Sequence, residues 1–176
     1  MRQALPGHRV GIPTTSQEVP MTRRFLHGLA AGAAGTTALN AVTYLDMALR
    51  GRPASTTPEE TVHRLEDIAH RPLAPEGSGT EAAGNRRAGI GALLGIAAGL
   101  GSGLACAAAR SALPRAPLPA MGLIAGAAAN IGSVGPMTAL GVTDPREWPP
   151  SSWASDIIPH LVFGAVTATV YDMLED

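Results

Sequence analysis

Three sets of residues in this chain have the types and spacing for chemistry. The first centres on Asp46 and His160. Asp46 falls about three residues before the end of one apolar run and His160 about three residues into another, so both sit roughly 5 Å inside the same interface at about 1.5 Å per residue. An ionisable group at that depth in a membrane demands a partner. Asn40, Tyr44 and Asp156 lie at similar or slightly deeper levels, and together the five form a polar mouth for a proton, an ion or a small polar ligand. The competing reading is a local Asp46–Arg50 pair at i,i+4, with both side chains reaching to the interface. It needs no function, and the spacing favours it. The second set is Asn40 with Asn130, each near mid-membrane, where an amide hydrogen bond would hold the first and third spans together. The third is His63, Asp67 and His70, at i, i+4 and i+7 on one helical face with zinc-ligand spacing. No further His or Cys follows at a matching position, so this is only a weak metal candidate; no metal or cofactor is assigned.

Other patterns fail on context. Gly89-x-Gly91 and the glycines at 99, 101 and 103 follow no strand, which a nucleotide-binding loop requires. Ser102 and Ser133 stand in Gly-rich surroundings outside any GxSxG elbow. An intramembrane hydrolase using His160 is therefore the remotest reading.

The elements that must carry these residues are apolar runs. Residues 89–109 contain no charge and no proline, and Gly91, Gly95, Gly99 and Gly103 recur every four residues. On a helix this spacing makes a groove free of side chains that a second backbone can enter. In water each glycine would cost roughly 1 kcal/mol relative to alanine, whereas in lipid helix is nearly the only choice. The expected fold is all-α, a four-helix transmembrane bundle of two hairpins with spans at about 25–49, 88–109, 118–140 and 156–174. Gly28 with Gly32 and Gly122 with Gly126 supply further seams. Pro136 should kink or end the third span early, and Ser155 reads as the N-cap of the fourth. Phe25 and Tyr171 at one end, and Tyr44, Trp148 and Trp153 at the other, suit the two membrane interfaces.

Between the first two spans, Thr57-Pro58-Glu59-Glu60 reads as a capped helix start, and Val62, Leu65, Ile68 and Ala69 give a short amphipathic helix over 57–70. Residues 75–85 read as a flexible linker. Residues 1–22, with three prolines and no periodicity, read as disordered ahead of a membrane domain over 23–176. Met21 reads as an alternative start. Thr22-Arg23-Arg24-Phe25-Leu26 resembles a twin-arginine signal, but lacks the residue that normally follows the arginine pair and a clear cleavage site.

Composition narrows the classes. A net charge of −1 over 176 residues argues against a nucleic-acid partner. The thirteen basic residues are all arginine. They divide six to seven between the two ends of the spans, so the positive-inside rule gives no orientation. Mean hydropathy is only +0.14 because the runs are built of Ala and Gly. Cys106, the one cysteine, lies inside an apolar run and reads as a small buried hydrophobe. Residues 28–34, GLAAGAA, recur as GLIAGAA at 122–128. Each copy is followed by a polar connection with a helix signal and another span, which reads as a duplication about an axis along the membrane normal.

The stretches GLAAGAAGTTALNAVTYLDM, RGRPASTTPEETV, GPMTALGVTDP and SDIIPHLVFGAVTATVYD resemble an uncharacterised family of small multi-pass bacterial membrane proteins. More distantly, the GL-x-AG opening and the Pro-His-Leu-Val-Phe-Gly entry of the last span are similar to the YagU-type inner-membrane family. That resemblance implies an integral inner-membrane protein loosely tied to acid tolerance and carries over no catalytic residue. The leading expectation is a non-enzymatic structural or stress-related bundle, partnered by the lipid bilayer and by a second copy of itself. The alternative is a small transporter or proton-conducting protein using Asp46, His160 and Asn40.

Overall fold

The computed structural model describes residues 21–73 and 79–176, and among these it is helical without a strand. Five helices follow one another: α1 Met21–Arg50, α2 Thr57–Ala69, α3 Thr80–Ala112, α4 Leu118–Ala139 and α5 Pro150–Glu175, with a 3-10 turn at Pro145–Glu147. Three of them, α3, α4 and α5, are long and apolar enough to cross a membrane. At 30 residues α1 extends about 45 Å, but it is not among those three. Thr36, Thr37, Asn40 and Thr43 dilute its apolar character.

Helix α1 packs against α3 and α5, and α4 packs against the same two, closing a ring in which neighbours run antiparallel. The packing inverts what water would select. Interior positions are small: Ala31, Cys106, Ala107, Ala125, Ala129 and Ala168 are buried, with only Met121, Phe163 and Tyr171 as large residues among the four long helices. The large aliphatics face out, including Leu45, Leu93, Ile96, Leu123, Ile131, Ile158 and Leu161. In the most apolar stretches of α3, α4 and α5 only 33 %, 28 % and 33 % of residues are buried. A soluble protein rarely leaves apolar surface of that extent uncovered.

Small interior residues let backbones approach. A Cβ added to Gly103 would overlap the Gly28 carbonyl oxygen and the Gly32 backbone, and one added to Gly164 would overlap the Gly122 carbonyl oxygen and the Gly126 backbone. A Cβ on Gly32 would stand 2.6 Å from the Gly99 carbonyl oxygen, and one on Gly126 2.7 Å from that of His160. The four glycines from 91 to 103 do not share one neighbour. Gly99 and Gly103 face α1, Gly91 lies under Pro58 of α2, and Gly95 meets nothing within 4 Å.

Several sequence expectations change in detail. Of the segment 1–22, residues 1–20 lie outside the described residues, and Met21 and Thr22 already belong to α1. Of the expected linker 75–85, residues 75–78 lie outside the described residues, and Thr80–Asn85 form the first turns of α3. Thr57 is the first residue of α2, and its N-cap is Thr56, with no side-chain cap bond. Instead of closing a capping box, Glu60 accepts a hydrogen bond from the Thr56 hydroxyl at 2.5 Å. Ser155 lies inside α5, which begins five residues earlier because Pro150 with its fixed φ suits a first helical position. Helix α4 continues through Pro136 to Ala139, and the ladder resumes where Leu140 N–H donates to the Pro136 carbonyl at 2.9 Å. Tyr171 is 1 % exposed and belongs to the core beside Ala31 and Ala107, not to an aromatic belt.

The amphipathic helix α2 lies on α3. Glu66 fixes it there, accepting from Leu73 N–H at 2.7 Å and from Arg87 Nε of α3 at 2.6 Å. The Leu73 amide first, and Arg87 second, hold the Glu66 carboxyl below its ordinary range.

Candidate functional site

At the end of the ring where α1 finishes and α5 begins, a cavity of about 630 Å³ opens. Its walls come from the C-terminal turn of α1, the connection into α2, the 141–149 connection and the first turns of α5. Arg50 and Arg52 line it, with seven hydroxyl-bearing residues, the Trp148 ring and Asp156.

Asp46 organises the arginines. Its carboxylate takes Arg50 Nε at 2.7 Å and Arg52 Nε at 2.6 Å, so one acid serves two guanidiniums. Arg50 Nη2 also donates to Ser155 Oγ of α5 at 2.5 Å, joining the ends of two helices. The Arg50 pair lies at i,i+4, the local arrangement that the spacing favoured. Arg52 is two residues beyond the helix and reaches Asp46 only because the chain turns back at Gly51, whose φ is +63°. Nearby, Arg146 grips Asp144 with contacts of 2.7 to 3.2 Å. That guanidinium holds the Asp144 carboxyl below its ordinary range. Trp148 donates from Nε1 to Thr143 Oγ1 at 2.8 Å and packs edge-on against Trp153, ring centres 5.3 Å apart.

Behind the cavity lies a second polar group between α4 and α5. Asn130 Nδ2 donates to Asp156 Oδ2 at 2.5 Å. His160 Nδ1 lies 2.7 Å from the Asp156 carbonyl oxygen, an acceptor only, so Nδ1 carries a proton. The 3.4 Å approach of Asn130 Nδ2 to the same nitrogen is then a contact between two donors. In the neutral ring Nε2 is the acceptor, and Ser133 Oγ stands 3.3 Å from it. The order Ser133, His160, Asp156 is that of a nucleophile, a base and an orienting group. The serine hydroxyl, however, has the Ala129 and Asn130 carbonyls closer, at 3.0 and 3.1 Å, and the cavity reaches Asp156 but does not include Ser133 among its lining residues. The serine is thus held by backbone carbonyls and is not presented for attack, and the Asp156 carboxylate comes no closer than 3.6 Å to His160 Nδ1.

The structure thus divides the five-residue polar mouth. Asp46 belongs to the arginines, and Asp156 and His160 belong to Asn130. Tyr44 is 62 % exposed on the outside of α1. Asn40 stands half-buried on α1 and makes no hydrogen bond with Asn130, whose partner is Asp156. His63 and Asp67 pair at 3.3 Å on the exposed face of α2, while His70 leaves the helix in the left-handed region with φ 51°. Among the described residues no group of three His, Cys, Asp or Glu is placed to hold a metal ion. Ser133, Arg52, Ser155 and Trp148 join these polar groups from outside the expected five-residue mouth. Arg52 and Ser155 carry no positional signal in one dimension. Ser133 does have one: it lies one turn from Asn130 on the same helical face. Comparison with known proteins gives no match, whether to a family model, a curated protein or a solved structure.

Proposed function

We propose that this chain is a four-span integral protein of the bacterial inner membrane, non-enzymatic, built as two tandem hairpins that pack through glycine seams. The observation that carries this reading is a repeated contact. Gly103 of α3 lodges between Gly28 and Gly32 of α1 as Gly164 of α5 lodges between Gly122 and Gly126 of α4. The match extends one turn further, with Gly32 against the Gly99 carbonyl and Gly126 against that of His160. In this reading α1 plays the part of α4, which is apolar enough to span. Its own polar residues are tolerable because a helix packed on two sides shows lipid only part of its surface. A structural or stress-related role, as the YagU-type resemblance implies, belongs to the same proposal. Reporter fusions before Met21 and after Asp176 test it. Four spans put both ends on the same side of the membrane; opposite sides would mean that α1 does not cross.

The face around Gly95 is the part of the glycine groove left for a second copy of the chain. Membrane crosslinking of Gly95→Leu tests that contact, and an unchanged oligomer pattern would remove it.

A second reading is favoured by where the two halves differ. Counting 94 positions from α1 to α4 and 61 from α3 to α5, Asn130 corresponds to Thr36 and His160 to Gly99. Thr36 sits directly on Gly99, where the other half has Asn130 and His160, and its hydroxyl bonds back to the Gly32 carbonyl at 2.8 Å. Packing alone therefore does not call for the Asn130–Asp156–His160 group. With the cavity reaching Asp156, that group serves as an entry for a proton or small polar solute. Proton flux into liposomes tests this: Asp156→Asn and His160→Ala should each lower it, and unchanged flux in both excludes the reading.

A further inference from the structure

We propose that the Arg50–Arg52 cavity binds a phosphate group, either in a phospholipid headgroup or as a free phosphate. Two guanidiniums share the single Asp46 carboxylate, leaving one positive charge in excess at that wall. Nη1 of Arg50 and Nη2 of Arg52 make no hydrogen bond among the described residues, and these are the planar donors that match phosphate oxygens. The first turn of α5 lines the same cavity, where Ser151 and Ser152 bring hydroxyls near the positive end of a 26-residue helix. Asp156 on the same lining has one carboxylate oxygen bonded to Asn130 and keeps its negative charge, so the cavity as a whole is balanced and an anion is favoured only at the arginine wall. A cavity of about 630 Å³ is ample for a phosphate with its glycerol or ethanolamine substituent.

Position adds to the chemistry. Arg50 ends α1, and Trp148 and Trp153 stand at the same end of the ring. Such aromatic and arginine side chains mark the depth at which lipid phosphates lie. The lipid source rests on the membrane reading above; the phosphate chemistry does not.

The two tryptophans of the chain are Trp148, in the cavity wall, and Trp153, packed on it, so intrinsic fluorescence reports this site alone. The protein in dodecyl maltoside, which carries no phosphate, is titrated separately with inorganic phosphate and with dihexanoylphosphatidylglycerol, against sodium chloride at matched ionic strength. The expected result is a saturable change with at least one of them that chloride does not reproduce. Arg52→Gln should raise the half-saturating concentration at least tenfold. Arg52→Lys keeps the charge beside Asp46 but loses the Nη2 donor that the bound guanidinium holds in plane, and should raise it severalfold in a protein that still folds. The Ser151→Ala, Ser152→Ala double variant should do the same. Saturation by both ligands means that the site reads phosphate itself; saturation by the lipid alone means that it requires the headgroup; saturation by phosphate alone supports the site and places its ligand in water. Saturation by neither, or Arg52→Gln and Arg52→Lys both titrating like the parent, overturns the proposal. The fusion experiment is independent of this one, so failure here leaves the topology standing.

Discussion

Gly32→Ala isolates the close approach of α1 to α3 with one methyl group. The new Cβ would stand 2.6 Å from the Gly99 carbonyl oxygen and 3.1 Å from the Cα atoms of Leu100 and Gly103. All three neighbours are backbone, so no side chain can swing away. Ordinary contact begins near 3.4 Å, so the helices must part locally by about 0.8 Å. A gap of that size forfeits roughly a quarter to a half of each dispersion contact along the seam. Overpacking of this kind costs about 1–3 kcal/mol, and the better helix propensity of alanine offsets up to about 1 kcal/mol of it. A net loss of about 1–2 kcal/mol is expected. Gly101→Ala is the control, because its Cβ meets nothing within 4 Å; it should be neutral or slightly stabilising. Unfolding is followed by circular dichroism as sodium dodecyl sulfate is titrated into dodecyl maltoside micelles. If the two variants unfold within about 0.5 kcal/mol of each other, α1 and α3 do not meet at backbone distance, and the argument from the glycine contacts is wrong.

Two further outcomes follow from the same geometry. The folded state holds the Glu66 carboxyl below its ordinary value of 4.5, through the Leu73 amide and then Arg87, so its contribution is complete above that value and disappears as the pH falls through the lower folded one. Hydrogen exchange across α2, corrected for intrinsic rates, should accelerate as the pH falls below the ordinary value of 4.5, and Glu66→Gln should show faster exchange already at neutral pH. Equal protection in the variant at pH 7 would mean that the Glu66 clamp does not hold α2. Cys106, 1 % exposed and packed with Met121, Ala125 and Ala168, should react with N-ethylmaleimide only when the bundle opens. Its labelling should therefore be at least about a hundredfold slower than in the denatured chain, and faster in Gly32→Ala; labelling at the denatured rate would contradict the packing.

The sequence by itself determined the helical character, the apolar runs and the positions of the small residues, because each is a local property. A run of about twenty residues without charge has one way to satisfy its backbone in lipid, and four-residue glycine spacing has one face on a helix. The Asp46–Arg50 pair was legible for the same reason, lying within one turn. Only the tertiary structure decided which glycine meets which helix: Gly95 shares its spacing with Gly91, Gly99 and Gly103, yet it faces outward, because the ring of helices reaches only part of the groove. It also separated Asp46 from His160. The two share a depth, but depth does not fix the direction in which a side chain points around the helix axis. Asp46 turns to Arg50, Arg52 and Ser155, while His160 turns to Asn130 and Ser133 on the neighbouring helix. Spacing along a chain specifies height and face; the partner across a seam depends on rotation and on neighbours far away in sequence, which packing alone sets.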